Sequence, residues 1–361
     1  MKKIKIIAVF AALFTIQASA QDSANITPNP LTISGYIESY YTFDFNKPAD
    51  NNRPGFVYSH NRHNEFNLNL GFVRASYSAE KVRGTLAVAA GTYMNANYAA
   101  EQGVLKNVYE ANGGFKIGKK NLWLDAGIFS SHIGFESAVG KDNWTLTRSI
   151  VADNSPYYEA GAKLSYTTDN SKWFFSVLGL NGWQRIKRVE GNSLMSFGTQ
   201  ITYKPTATTT LNYSTFIGSD KPDSARQMRY YHNIYGIFQL TKQFGLTAGF
   251  DIGTENKSKT GSDVNTWYSP VVIAKLSFNP KWSLSARGEY FRDQNGVIIS
   301  TGTTNGFKTT GVSLNVDYAP LPNMLFRVEG RSLNSKDNIF AKGTTMKNTN
   351  SFITTAFALS F

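Results

Sequence analysis

Short, turn-rich connections and longer polar ones alternate along this chain without an exception, and that regularity limits the folds open to it more than any motif does. The short ones fall at about 78–81, 118–121, 168–172, 204–208, 241–244, 279–281 and 320–323, each rich in Gly, Pro, Asn or Lys. The long ones fall at about 46–62, 94–106, 131–156, 183–192, 219–227, 254–265, 293–306 and 335–350. Between them the residues alternate with period two, as in Phe66, Leu68, Leu70 and Phe72 against Asn67, Asn69 and Gly71, the pattern of strands between unlike surroundings. Seven turns and eight loops divide the chain into about sixteen strands, an even number that leaves both ends on one side. A sandwich or propeller has no reason to sort its connections by length. A barrel that crosses a membrane does, with tight turns on one side and long loops on the other.

The final segment reinforces this reading. Ile353, Thr355, Phe357, Leu359 and Phe361 share one parity, while Thr354, Ala356, Ala358 and Ser360 are small or polar on the other. An apolar strand at the very end of a chain invites association unless something pairs with its edge. The expected partner is the first strand near Ile33 to Tyr41, antiparallel, with Phe357, Leu359 and Phe361 facing lipid. In the second strand the apolar parity switches to Val73, Ala75 and Tyr77, which predicts a bulge near Gly71.

Composition removes the other membrane class. The 361 residues are 41% hydrophobic, 14% aromatic and 17% charged, and beyond the first twenty none forms an apolar run near the roughly 20 needed for a spanning helix. Residues 1–20 read as a secretory leader: Lys2, Lys3 and Lys5, an apolar stretch from Ile6 to Ile16, then Ala18-Ser19-Ala20, with cleavage expected before Gln21. Residues 21–30 would form a short N-terminal segment and 31–361 a single barrel domain. There is no Cys, so neither disulfides nor lipid attachment is available, and a closed hydrogen-bonded sheet is the expected source of stability. The formal net charge is +12, which alone does not choose among anionic partners.

The expected lipid face includes Leu124, Ala126 and Ile128; Ala160, Ala162 and Leu164; Leu246, Ala248, Phe250 and Ile252; and Val312, Leu314 and Val316. The other parity holds Glu38, Asp44, Glu110, Lys116, Asp125, Glu159, Lys163, Arg229, Asp251, Lys275, Arg287, Glu289, Asp317, Arg327, Glu329 and Arg331. These are the candidate pore-lining residues, because a basic side chain facing lipid at the midplane costs roughly 2 to 4 kcal/mol. They could act as a charge ladder that selects solutes or pair across strands and stiffen the wall. Trp123, Trp173 and Trp282 follow short turns, and Tyr166, Tyr203, Phe278 and Tyr318 precede them, as an interfacial aromatic girdle would.

The longest loop, 131–156, contains Trp144, Leu146, Ile150 and Val151. Folded into the lumen it would bring Glu136, Lys141, Asp142 and Arg148 to a constriction; the alternative is packing on the rim. Residues Phe174, Phe175, Val177, Leu178 and Leu180 are apolar on both parities, which fits a strand whose inner side this loop covers. Other constellations are weak. His60 and His63 lack further metal ligands nearby, Ser130 and Ser131 adjoin His132 without an acidic orienter, and Gly113-Gly114 precedes no helix pattern. Tyr230, Tyr231 and Tyr235 alternate as ordinary wall. No catalytic, cofactor or metal site is expected.

Three segments carry a family likeness: Asp125-Ala-Gly-Ile-Phe-Ser-Ser-His-Ile-Gly-Phe-Glu136, Asn143-Trp-Thr-Leu-Thr-Arg-Ser149, and Ser155-Pro-Tyr-Tyr-Glu-Ala-Gly-Ala-Lys-Leu-Ser-Tyr166. They resemble the β-barrel porin-2, or OmpL-like, family of Gram-negative outer-membrane proteins. The resemblance implies an all-β, antiparallel up-and-down barrel in the cell outer membrane, a passive diffusion channel for small hydrophilic solutes, and no catalytic residues. The aromatic last residue resembles outer-membrane proteins generally, where the barrel assembly machinery reads it. Outer-membrane lipids, solutes and further copies of the chain are the expected partners, and nucleic acid is not. The competing reading is a surface-binding or complex-forming barrel, an adhesin or transport partner, without an open pore.

Overall fold

The computed structural model describes residues 29–361; the leader expected at 1–20 lies outside the described residues. Sixteen antiparallel strands close into one barrel. They are β1 (Leu31–Asp44), β2 (Phe66–Ser78), β3 (Val82–Ala90), β4 (Val108–Lys116), β5 (Leu122–Ser130), β6 (Tyr158–Thr167), β7 (Trp173–Leu180), β8 (Ser196–Thr206), β9 (Thr209–Gly218), β10 (Arg229–Gln239), β11 (Phe244–Asn256), β12 (Val264–Ser277), β13 (Trp282–Asp293), β14 (Phe307–Leu321), β15 (Met324–Ser335) and β18 (Thr349–Ser360). A two-stranded hairpin of β16 (Phe340–Lys342) and β17 (Thr345–Lys347) stands apart in the last long loop. Two short helices, α1 (Thr92–Asn97) and α2 (Ile150–Asp153), lie in the second and third long loops.

The barrel closes where the sequence placed the seam. β1 pairs with β18 in antiparallel register, Tyr36 opposite Ser360 through Asp44 opposite Phe352. Beyond the strand end, the Gly35 and Phe361 backbones exchange two hydrogen bonds of 2.7 and 3.0 Å. Phe361 and Ile353 are exposed on the outer face, while Phe352, Thr354, Ala356 and Ala358 are buried inside. Among the described residues the barrel sheet has no free edge to template association.

The outer face is apolar over the whole circumference, with Ile33, Leu86, Phe115, Val177, Phe197, Ile234, Val272, Leu314 and Val328 all exposed. At the short-turn end Trp173 stacks on Tyr203 with centroids 4.1 Å apart, and Trp282 on Tyr318 at 4.4 Å. These pairs form the expected girdle. Trp123 does not belong to it: it shares the parity of Asp125 and lies under the Arg83 guanidinium, 4.2 Å from the ring centroid, on the inner face.

The bulge also sits slightly off its expected place. Glu38 faces Leu70 while Ser39 faces Leu68, so the extra residue is Asn69, two positions before Gly71. Its buried amide explains the choice, donating to Glu38 Oε1 at 2.7 Å and accepting from the His60 backbone N–H at 2.9 Å. The inserted residue is turned inward to serve the interior.

Candidate functional site: the lumen and its third loop

The third long loop, residues 131–157, folds into the barrel. It leaves β5 beside β6, where Ser131 Oγ donates to Glu159 at 3.1 Å and His132 Nδ1 lies 2.9 Å from the same carboxylate. It then runs along β11, whose inward residues include Gly245, Gly249 and Gly253. A Cβ on Gly245 would meet the Trp144 ring at 2.7 Å, and one on Gly249 the Phe135 ring at 2.7 Å. Glycine at these positions makes room for aromatic side chains of the loop. At the loop's turn, a Cβ on Gly140 would lie 1.7 Å from the Glu38 carboxylate. Only a glycine lets the backbone approach β1 so closely.

From there the loop docks on β13, β14 and β15 through the charged residues of one parity. Arg327 donates to the carbonyls of Gly140 and Asn143 at 2.7 and 3.0 Å, and to both oxygens of Asp317. Arg287 donates to Thr147 O at 2.6 Å, to Thr145 Oγ1 at 2.9 Å and to Glu329 at 2.9 Å. Arg331 donates to Arg148 O at 2.8 Å and to Glu289. In return Glu329 accepts from Thr147 N–H at 2.5 Å, Glu289 from Ile150 N–H at 2.6 Å, and Asn315 from Leu146 N–H at 3.1 Å. The loop backbone, which would otherwise be buried without partners, is satisfied by wall side chains.

Apolar contacts complete the docking. Ile133, Ile150 and Val151 of the loop share one buried cluster with Leu178 and Leu180 of β7, Phe216, Trp267 and Phe291. The two-sided apolar pattern of β7 thus has the cause its sequence suggests. Each such side chain contributes roughly 1.5 to 3 kcal/mol when fully buried.

Within the loop, Arg148 is fully buried and donates to Ser137 O, Ala138 O and Leu146 O at 2.7 to 2.8 Å. Glu136 accepts from the Ser149 N–H at 3.1 Å and from its hydroxyl, and Ser149 in turn caps α2 by accepting from Ala152 N–H. These two residues, expected at a constriction, staple the loop to itself. Lys141 and Asp142 are exposed at the loop tip, 3.1 Å apart. The first long loop covers α2: Ser59 donates to Asp153 at 3.1 Å, and Asn154 to Phe56 O at 2.9 Å. Burial pushes the Asp153 carboxyl up to about 7, against the pull of Arg148 and Arg331. Burial likewise holds the His60 imidazole below its usual value although it lies 2.8 Å from Glu38.

The remaining wall charges fall into two groups. Glu38, Asp44, Glu159 and Asp251 are buried among protein partners: Tyr36, His60 and Asn69 for Glu38; Asn350 and the more distant Arg53 for Asp44; His132 for Glu159; Tyr231 and Asn233 for Asp251. Arg229 pairs with Glu255 at 2.6 Å between the Trp183 and Trp267 rings. The second group, on β2–β6, reaches solvent through its arginines, although Asp125 itself is buried. Arg74 lies 3.3 Å from Glu110 and Arg83 2.6 Å from Asp125, while Lys163 sits over the Phe129 ring and Lys116 beside Trp123. Arg74 and Arg83 are not among the sequence candidates, although Arg74 lies between the outward Val73 and Ala75. The β11 glycines and Arg53 of the first long loop are further interior residues outside the sequence candidates, the former marked by a Gly at every fourth position, and His60 serves the interior, not a metal.

Below the loop, at the short-turn end, lies an open cavity of about 540 Å³ lined by Lys141, Lys242, Lys275, Lys281, Asp317 and Asn323 among others. His60 and His63 do not converge, since His63 Nδ1 accepts from Asp44 N–H at 2.9 Å.

A closed sixteen-strand barrel, apolar outside and charged inside, with one loop laid across its lumen, defines an outer-membrane channel protein. The family described as "Putative beta-barrel porin-2, OmpL-like" matches residues 30–361, and the chain belongs to it: it is an outer-membrane porin. Solved structures share the fold at low identity. OmpT of Vibrio cholerae superposes with a TM-score of 0.60 at 11% identity, covering 92% of this chain and 97% of that one. An anion-selective porin from Comamonas acidovorans gives 0.59 at 8%, covering 92% and 99%. The outer-membrane channel DcaP of Acinetobacter baumannii gives 0.58 at 8%, covering 92% and 97%. A comparison with curated protein sequences finds no match.

Proposed function

We propose that this porin passes small hydrophilic solutes by passive diffusion with a preference for anions, along the β2–β6 side of the third loop and through the lysine-lined cavity beneath it. One observation carries the preference: on the open wall the carboxylates are paired and part of the cations are not. Glu110 and Asp125 each hold an arginine, whereas Lys116, Lys163 and Lys275 have no carboxylate within ion-pair distance among the described residues. An unpaired cation on a wet wall lowers the barrier for a passing anion. Passage needs no catalytic step and no bound cofactor.

The leader read at 1–20 supports export, the aromatic end of β18 supports insertion by the barrel assembly machinery, and the apolar outer wall is open to self-association. The test is single-channel recording in a planar bilayer under a potassium chloride gradient. The expected result is stepwise conductance with a reversal potential on the chloride side. A reversal potential on the potassium side overturns the anion preference. Folded protein without conductance steps favours the competing reading, a partner-binding barrel without an open pore.

A further inference from the structure

The lipid-facing wall carries one cross-strand row that ordinary pairing rules disfavour. Arg292 of β13 and Lys308 of β14 are direct partners in the ladder. Lys336, the residue after β15, continues the row: its N–H donates to Lys308 O at 2.8 Å, one step beyond the Thr309–Ser335 pair. All three side chains point outward, since they alternate with the buried Phe291 and Asp293, Phe307 and Thr309, and Ser335. Neighbouring strands lie about 4.8 Å apart, and like charges directly opposite each other destabilise a sheet. None of the three has an ion pair within 4 Å among the described residues. Asp293 accepts from the N–H groups of Val297, Ile298 and Ile299, Asp337 accepts from Asn305 while also lying in the field of Lys308, and Arg292 donates to Gln294 Oε1 at 3.1 Å.

The position of the row suggests what resolves the conflict. It lies where β13 and β15 end and β14 begins, at the long-loop end. Two residues below it on β14 is Thr310, and then come Val312, Leu314 and Val316, all exposed. The row therefore marks the boundary between the apolar band and the outer loops, the headgroup level of the outer leaflet. On its other side Arg292 faces Tyr268 across the ladder with its guanidinium 5.9 Å from the ring, and Tyr290 lies 6.0 Å from Tyr268. Arginine forks match phosphate oxygens, and tyrosine rings at this level suit the face of a sugar.

We propose that Arg292, Lys308 and Lys336 bind the phosphate of a phosphorylated glycolipid of the outer leaflet. The headgroup sugar rests on Tyr268 and Tyr290, and the acyl chains descend along Val312 and Leu314. A dianionic phosphate turns three mutually repelling cations into one charge-assisted cluster.

The test uses the folded full-length protein in detergent, with bisphosphorylated lipid A, the same lipid with its phosphates removed, and inorganic phosphate as separate probes, read by native mass spectrometry. One retained bisphosphorylated lipid per chain is expected, with the dephosphorylated lipid not retained. Neutralising all three cations (Arg292→Gln, Lys308→Gln, Lys336→Gln) should weaken retention on the order of a hundredfold. Single-channel conductance of this variant should stay unchanged, which shows that it folds. Equal retention of both lipids, or unaltered retention by the conducting triple variant, overturns the proposal. So does inorganic phosphate that displaces the lipid at millimolar concentration, which would mark a site for free phosphate.

Discussion

The two walls of the lumen carry similar residues and use them differently. On β13–β15, Arg287, Arg327 and Arg331 are 2%, 1% and 4% exposed, each bridging a carboxylate and the backbone of the third loop. On β2–β5, the side chains of Arg74 and Arg83 are 27% and 37% exposed, and each holds a single carboxylate. The difference lies in what covers them. A charge sealed from water is a structural clamp, because leaving it without partners would be costly. The same charge on a wet wall contributes little to stability and remains available to a passing ion. An arginine–carboxylate ladder in a barrel is thus not by itself a selectivity device.

The sharpest way to break this distinction is Arg287→Ala. It leaves Glu329 without its arginine in a dry site, while Glu289 keeps Arg331, and it removes three bonds to Thr145 and Thr147. Loss of one partner from a buried pair costs about 3 to 5 kcal/mol. The expected outcome is a lower thermal transition in the heat-modifiable gel shift, together with larger conductance steps as the loop detaches. An unchanged conductance would mean that the loop is held without this clamp. A smaller effect is expected from Gly249→Val, which drives a side chain into the Phe135 ring. Overpacking of this kind costs about 1 to 3 kcal/mol and should expose residues 131–157 to protease. Gly288→Val is the control, because a Cβ there meets nothing within 4 Å.

The contrast also explains which features the sequence made legible. Strand number, closure and the outer face follow from a period-two pattern that a barrel wall imposes on every residue, and the inward loop from apolar residues on both parities of β7. Trp123 lies inside in spite of its nearness to a turn, because its parity is that of Asp125. The bulge was placed at the glycine, yet it falls at Asn69 because a buried amide was needed beside Glu38. The clamp itself was beyond reach. Contacts such as Thr147 to Glu329 join residues 182 positions apart, and no local pattern encodes which carboxylate meets which amide. Glu136 and Arg148 hold the loop to itself and not the channel open, a role that burial inside a loop leaves without a periodic trace.

Acidity offers a graded test of the sealed side. Asp153 takes up a proton on folding, because burial raises its folded value to about 7. Its contribution to loop packing is therefore fully present below the unfolded carboxylate range near 4 and is lost as the pH rises through about 7. Protease resistance of the third loop should fall between about pH 4 and 7 and level off above that. Asp153→Asn should flatten the profile and keep the resistance high at pH 8. A wild-type profile without slope in this window would show that the carboxyl is not the sensitive group.

The smallest stability effect and the clearest selectivity effect belong to the open wall. Arg83→Ala removes the half-exposed arginine from Asp125, a carboxylate only 6% exposed that still has Lys163 directly opposite it, so the thermal transition should fall by less than for Arg287→Ala. It also frees a carboxylate on the path where Lys163 and Lys116 stand, reversing the local balance without disturbing the loop. The reversal potential in a salt gradient should shift toward potassium while the step size stays near that of the wild type. The same shift from Arg327→Ala, without a fall in stability, would erase the distinction between the walls, since Arg327 reaches the lumen only through the loop backbone it holds.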